Sequence, residues 1–342
     1  MVDKLKVAIV GNGNICNLAH IPAWKSIKEA EVVATCDIIE ERAKKACIDL
    51  GAKEYYTSID DMLSKDSIDL VDLCVPTHEH ANIAIKALES GKHVICEKPI
   101  SNNLQSAKLM ISAAKKNGRQ LYIAHTRRFD PRLTTIKETI DSGKIGTPVY
   151  IRRCERSYLP FPKDMWHWNT AKSGGVLLDI GIHCADLVRW FLGSEPIEVF
   201  AKGKTIREEA KEMNCHDLVV AMIKFEENKN AIIEASWAHP KTYAPFYSEL
   251  DIIGTKGKIE YSDQKTNPMV FVSPEKGINF PRYSPLVSSI PESFKNEMLH
   301  FLDCITKDIK PRITLEDAYS ALKIIKAAEK SISEKKQIKV IS

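Results

Sequence analysis

The sequence predicts an α/β protein in two parts: an N-terminal doubly wound parallel sheet, then a C-terminal α+β domain with an open, mainly antiparallel sheet. Three observations carry that expectation. Up to about residue 125, short apolar runs alternate strictly with longer segments of helical period, the grammar of parallel strands joined by crossover helices. Beyond it, apolar runs follow one another across hairpin-like breaks at Glu226-Glu227-Asn228 and Gly254-Thr255-Lys256-Gly257, as antiparallel strands do. A glycine turn, Gly11-Asn12-Gly13, directly follows the first apolar run and opens the first helix.

In the first part, strands are expected over Lys6–Val10, Val32–Cys36, Leu70–Val75, His93–Cys96 and Leu121–Ala124. Helices are expected near 14–27, 39–50, 58–64, 78–90 and 102–117. Gly51, Gly91 and Gly118 fall where helix C-caps belong, and Ser101 is the expected N-cap of the last helix. The change of grammar near 125 sets two domains, 1–125 and 126–342. The second should hold a helix over 129–142, an extended stretch over 147–158 and a Pro- and Trp-rich loop over 159–172. A helix over 174–192 follows, then strands over 196–203, 216–226, 230–238, 246–253, 257–261 and 268–273. Helices over 291–308 and 315–333 close the chain, the last with Thr314 as cap and Glu316 and Asp317 in its first turn.

Composition excludes several classes. Apolar residues at 44% and charged residues at 27% are ordinary for a globular protein. A net charge of +4 with no basic block argues against nucleic acid as a partner. Nine cysteines, an odd number without a C-x-x-C pair, sit largely inside apolar runs. They read as free buried thiols in a reducing compartment. No apolar run reaches membrane-span length, and the chain opens on a strand with no signal peptide ahead of it. A cytoplasmic protein is expected.

The turn Gly11-Asn12-Gly13-Asn14-Ile15-Cys16 has the chemistry of a pyrophosphate site. Its first glycine permits the tight turn, and its second lets backbone amides approach an anion at the helix start. Cys16 stands where a third glycine is usual. Asp37 ends the second strand 24 residues after Gly13, where a carboxylate accepts hydrogen bonds from an adenosine ribose. A helix-capping aspartate is the alternative. The carboxylate repels a 2′-phosphate, so NAD is favoured, with NADP left open by Arg42. Pro76 and Thr77 end the next strand, and His80 reads as a packing or capping residue beside the nicotinamide half. His78-Glu79-His80 lacks further ligands at metal spacing, so no metal is expected.

Two further stretches carry chemistry. Val94-Ile95-Cys96 runs straight into Glu97-Lys98-Pro99, and Pro99 stiffens the backbone of Lys98. A lysine is thus held at the carboxyl end of a strand, where open α/β sheets bind ligands. In the second part, Asp179 and His183 lie four apart on one face of an otherwise apolar helix that follows Gly174-Gly175. A carboxylate that orients an imidazole suits acid–base work. An ordinary surface pair or a zinc pair are alternatives, but neither explains two ionisable groups on one stripe of an apolar helix.

With these pieces in order, the chain resembles the Gfo/Idh/MocA family, the glucose–fructose oxidoreductases and inositol dehydrogenases, over nearly its whole length. The matching residues are Gly11–Cys16 with His20, Asp37, the run Pro76 to Pro99, and Arg128-Phe129-Asp130-Pro131. Gly174-Gly175, Asp179, His183, Asp186, Ser236-Trp237 and Gly254 to Gly257 complete the set. The resemblance implies a Rossmann domain, a nicotinamide cofactor and an open sheet that pairs with another subunit as a homodimer or homotetramer. It implies catalysis by Lys98 and His183 with Asp179 beside them, on a sugar, inositol or related polyol. Cofactor contacts are then expected from Gly11, Gly13, Asn14, Ile15, Asp37, Pro76, Thr77, His80, Glu97 and Lys98. Substrate contacts are expected from Lys98, Arg127, Tyr158, Trp166, His167, Asn169, Asp179 and His183, with His125 and Tyr283 as weaker candidates. An NAD-dependent glycosidase, a dinucleotide-binding regulator and a metal hydrolase stand as alternatives.

Overall fold

A computed structural model describes residues 4–158, 162, 165–239, 246–263, 269–273, 277–279 and 290–340. They form two compact units, Met1–Pro131 with Val287–Tyr319, and Arg132–Leu286 with Ser320–Ser342. The sequence boundary near 125 assigned everything after it to the second domain, and Val287–Tyr319 departs from that. The cause is the apolar face of helix Ile290–Lys307: Phe294, Met298, Phe301 and Leu302 join one core with Val7, Ile9, Cys16 and Trp24.

The first sheet is all parallel: β1 (Leu5–Val10), β2 (Ala30–Cys36), β3 (Glu54–Tyr56), β4 (Leu70–Leu73), β5 (His93–Glu97) and β6 (Leu121–Ala124), ordered β3-β2-β1-β4-β5-β6. Strand β3 was not expected, because its residues are polar or half exposed and form no apolar run. The order reverses between β1 and β4, and the crevice at such a switch point is where doubly wound sheets hold ligands. The first helix contains a π-helical turn over Cys16–His20 before Ile21–Ser26. Pro22 lacks the N–H that an α-helical bond needs, and Ile21 N–H reaches back five residues to Cys16 O. Gly51 and Gly118 are left-handed C-caps as expected, whereas Gly91 lies one residue past its cap, Ser90. The N-cap of helix Leu104–Asn117 is Asn103, which accepts from Ser106 N–H at 2.8 Å, and not Ser101.

The second unit is built on β7 (Pro148–Ser157), β8 (Pro196–Lys204), β9 (Leu218–Phe225), β10 (Asn230–Ser236), β11 (Phe246–Gly254) and β12 (Gly257–Ser262). Strands β13 (Met269–Ser273), β14 (Gly277–Asn279) and β15 (Ile338–Lys339) extend it to the order β14-β13-β12-β11-β7-β10-β9-β8-β15. Only β7 and β10 pair in parallel; every other neighbouring pair is antiparallel. The expected helix 174–192 is jointed at Ile180 into Gly175–Asp179 and Gly181–Leu192. A Cβ at Gly181 would crowd Leu177 Cδ1 at 3.0 Å, so a small residue suits the joint.

Trp237 is fully buried, edge-on to Trp168 at 5.7 Å, so it is a core residue and not part of an outer sheet face. Among the described residues, the sheet exposes Phe200, Val220 and Met222, together with Val149, Ile197 and Ile253. Among the described residues no helix is long and apolar enough to cross a membrane.

Candidate active site

The first unit gathers the residues expected at the cofactor. Gly11 has φ +87°, and a Cβ there would come within 2.8 Å of the Cys74 backbone, so only glycine fits. A Cβ at Gly13 would meet nothing within 4 Å, which leaves that side of the turn open to a ligand's approach. Asn14 and Ile15 begin the helix, and the Asn17 side chain ties the turn together through Asn12 O (2.8 Å) and Gly13 O (2.7 Å). Cys16 is fully buried in the core, so the place of the usual third glycine is filled without opening the turn.

Asp37 is bound to backbone on both oxygens. Its Oδ2 accepts from Asn12 N–H at 2.7 Å, and its Oδ1 accepts from Ile39 N–H at 2.9 Å. The carboxylate therefore braces the glycine turn and the next helix start while keeping acceptor capacity for a ribose. An open glycine turn, a helix start and an acid at the end of β2 are the donor and acceptor set an adenine dinucleotide needs.

Pro76 and Thr77 follow β4. His80 is 1% exposed, with Nδ1 2.8 Å from Pro99 O and Nε2 3.0 Å from Val75 O. Burial lowers its pKa. The ring clamps the two segments that follow β4 and β5. Lys98 follows β5 directly, and the Lys98–Pro99 bond is cis. Glu97 turns inward, with Oε1 3.1 Å from His20 Nε2. His20, Asp72 and Cys74 bring three potential ligand atoms within 4.8 Å of one another. Both His20 nitrogens lie within hydrogen-bond distance of a carboxylate oxygen, of Asp72 and of Glu97. Arg127 also belongs to this unit, half-buried in the 3₁₀ turn Thr126–Phe129.

The second unit holds Asp179 and His183. From Gly175 to Val188 every residue is buried except Asp179 and His183. Asp179 ends one helix and His183 lies in the first turn of the next. The glycines before them serve packing and do not clear space for a ligand: a Cβ at Gly174 would collide with Leu178 at 2.4 Å, and one at Gly175 would touch Cys215 Sγ at 3.4 Å. Asn169 is an N-cap whose Oδ1 accepts from Ala171 and Lys172 N–H, so its side chain is committed to the helix Thr170–Ser173. Trp166 and His167 pack ring on ring at 4.0 Å, both half-buried. Arg207, which the sequence reading passed over, places its guanidinium 4.5 Å over Tyr158 and 5.5 Å over Trp168. Its signal was weak, since it lies in a short polar segment before helix Glu208–Glu212. His125 is buried in the first unit, and Tyr283 lies outside the described residues.

A doubly wound domain with a dinucleotide turn, followed by an α+β unit with Asp179 and His183 half-exposed on a buried helical segment, is the arrangement of a nicotinamide-dependent oxidoreductase. Residues 5–125 match the oxidoreductase family with an NAD-binding Rossmann fold, and residues 133–260 match the GFO/IDH/MocA C-terminal domain. The chain belongs to the Gfo/Idh/MocA oxidoreductase family. It is 29% identical to myo-inositol 2-dehydrogenase of Thermotoga maritima, over 98% of each chain. It is 27% identical to scyllo-inositol 2-dehydrogenase (NAD(+)) of Bacillus subtilis, over 97% of this chain and 95% of that one. The crystal structure of a probable dehydrogenase from Thermotoga maritima superposes with a TM-score of 0.84 at 29% identity, covering 98% of this chain and 99% of that one.

Proposed function

We propose that the protein oxidises a secondary hydroxyl of an inositol, a sugar or a related polyol, or reduces the corresponding ketone. The observation that carries this is the Asp179–His183 pair, the two half-exposed ionisable groups on an otherwise buried helical segment of a chain with an NAD domain. Bound NAD supplies the hydride acceptor. His183 takes the hydroxyl proton, Asp179 orients the imidazole and stabilises its charged form, and Lys98 stabilises the developing alkoxide. Tyr158, Trp166, His167 and Arg127 shape the substrate's surroundings. The relatives named for inositol support a cyclic polyol. Inositols, other polyols and aldoses assayed by absorbance of the reduced nicotinamide test the reading. Tight NAD binding without turnover on any of them would refute the substrate class.

Asp37 is assigned the adenosine ribose, so NAD should bind more tightly than NADP, and Asp37→Ser should narrow or reverse the preference. Titration of both dinucleotides checks this, and a native preference for NADP would remove Asp37 from the ribose. The same exchange also removes the brace on Asn12, so affinity for both cofactors should fall somewhat.

We also assign the protein to the cytosol, on nine buried free thiols, and to a homodimer or homotetramer. Phe200 on β8 and Val220 and Met222 on β9 are exposed apolar groups that lie together on one face of the second sheet, and such a cluster favours cover by another surface. Light scattering at micromolar concentration should give at least a dimer, and Met222→Lys should weaken it. A monomeric native protein would refute the assignment.

A further inference from the structure

The first unit buries ionisable side chains that the proposed chemistry leaves unused. His20, in the π-helical turn, is fully buried. Its Nδ1 lies 2.8 Å from Asp72 Oδ2 on β4, and its Nε2 lies 3.1 Å from Glu97 Oε1 on β5. Trp24 Nε1–H donates to the same Asp72 oxygen at 2.7 Å. The second Glu97 oxygen accepts the backbone N–H of Lys98 at 3.0 Å. Phe294 closes one side of the imidazole, with ring centroids 4.9 Å apart. One helical turn further on, Glu297 is 1% exposed, and its Oε2 accepts from Thr126 Oγ1 at 2.9 Å.

A carboxylate only accepts, so a ring nitrogen that faces one has to donate. With a carboxylate at each nitrogen, His20 carries two ring protons and a positive charge. Burial alone lowers its pKa, but the charges and hydrogen bonds of Asp72 and Glu97 outweigh burial and hold it well above the usual value. Burial, and then the charge of Glu97, hold the Glu297 carboxyl well above the usual range, so it is the neutral acid of the group. Cys74, just past the end of β4, Cys16 in the first helix and Cys96 on β5 are further titratable neighbours, and burial raises the Cys74 and Cys96 thiols.

We propose that His20 is a positioning residue for Lys98 that acts through Glu97. The imidazolium ties the Glu97 carboxylate to Asp72 on β4, and that carboxylate holds the amide of the residue just beyond the end of β5. The lysine's place is thereby set from inside the core rather than by the chain that follows it. This inference rests on the catalytic reading of Lys98.

The test compares native enzyme, His20→Ala, His20→Gln and Lys98→Ala at saturating NAD, with turnover expressed per NAD-binding site so that unfolded molecules are not counted. Misplacing a reacting group by about an ångström costs on the order of a hundredfold, so His20→Ala should lose about tenfold to a hundredfold in kcat. NAD affinity should fall no further in His20→Ala than in Lys98→Ala, because His20 acts through that lysine. His20→Gln keeps an N–H for Glu97 and should recover part of the loss. A folded His20→Ala with native kcat overturns the inference. If Lys98→Ala keeps native turnover, the catalytic reading fails and the inference with it. If Lys98→Ala abolishes turnover and folded His20→Ala does not, only the inference fails.

Removal of a buried cation between two carboxylates can prevent folding, so two measurements use milder material. Ring-nitrogen NMR of native protein at about pH 7.5, above the ordinary imidazole pKa, should show both His20 nitrogens protonated, and a neutral tautomer overturns the inference. The pH dependence of melting has a defined sign. A raised folded pKa gives stability that is fully present below the unfolded value of about 6.5 and is lost as pH rises through the folded value. Glu297 adds a loss of the same sign, and the His20 charge holds its pKa down in part, so the comparison uses Glu297→Gln, which keeps His20 and removes the second titration. Glu297→Gln protein should still lose melting temperature as pH rises above about 6.5, and a flat profile overturns the inference.

Discussion

His183→Ala should lower turnover on the best polyol by about a hundredfold to ten-thousandfold, the usual loss when a positioned general base is removed. Lys98→Ala should fall comparably, because an alkoxide then develops without its cation. The two should separate on cofactor binding. Lys98 directly follows β5 of the NAD-binding sheet, whereas His183 belongs to the other unit, so His183→Ala should leave NAD affinity close to native. Oxidation by native enzyme should rise with pH through a single ionisation. Asp179 favours the imidazolium, so Asp179→Asn should move that ionisation downwards. Turnover of His183→Ala within a few-fold of native across the pH range would make His183 structural and the mechanism wrong.

Glu155→Ala should cost roughly 3–5 kcal/mol of stability in the second unit, because it strands a buried guanidinium. Arg153 and Glu155 point to the covered face of β7, where Arg153 is 1% exposed and pairs with Glu155 through Nη2. Burial pulls the Arg153 pKa down, and the charge of Glu155 more than reverses it. The double exchange Arg153→Leu with Glu155→Leu removes both charges, and it should recover most of the loss where the smaller side chains repack. Urea unfolding followed by tryptophan fluorescence reads the effect, since Trp168 and Trp237 report from the same unit. A loss under about 1 kcal/mol for Glu155→Ala would mean that water reaches the guanidinium and that the pair is not buried in solution.

Much of the fold was legible because its signals are local. The central strands of the first sheet are buried on both faces, so each had to be a continuous apolar run, and their limits agree with expectation to within two residues. Strand β3 was missed because its three residues are half exposed and polar enough to read as loop. Thr314 was legible as a cap, and it forms a reciprocal box with Asp317, donating to Oδ2 and accepting its N–H. Ser101 was not separable from Asn103 by type, since both are good caps, and the backbone decided for Asn103.

The site divides along the same line. The sequence by itself displayed the glycine turn, Asp37, the lysine at a strand end and the Asp179 and His183 pair proposed for catalysis, because each is a short contiguous pattern. It also displayed two anomalies without their meaning: Asp72 inside an apolar strand and Glu297 between Phe294, Met298 and Phe301 on the apolar face of a helix. Tertiary structure alone decided what those acids serve. His20 meets Asp72 and Glu97 across separations of 52 and 77 residues. Burial there makes each charge depend on its neighbours, and no local periodicity can carry that dependence.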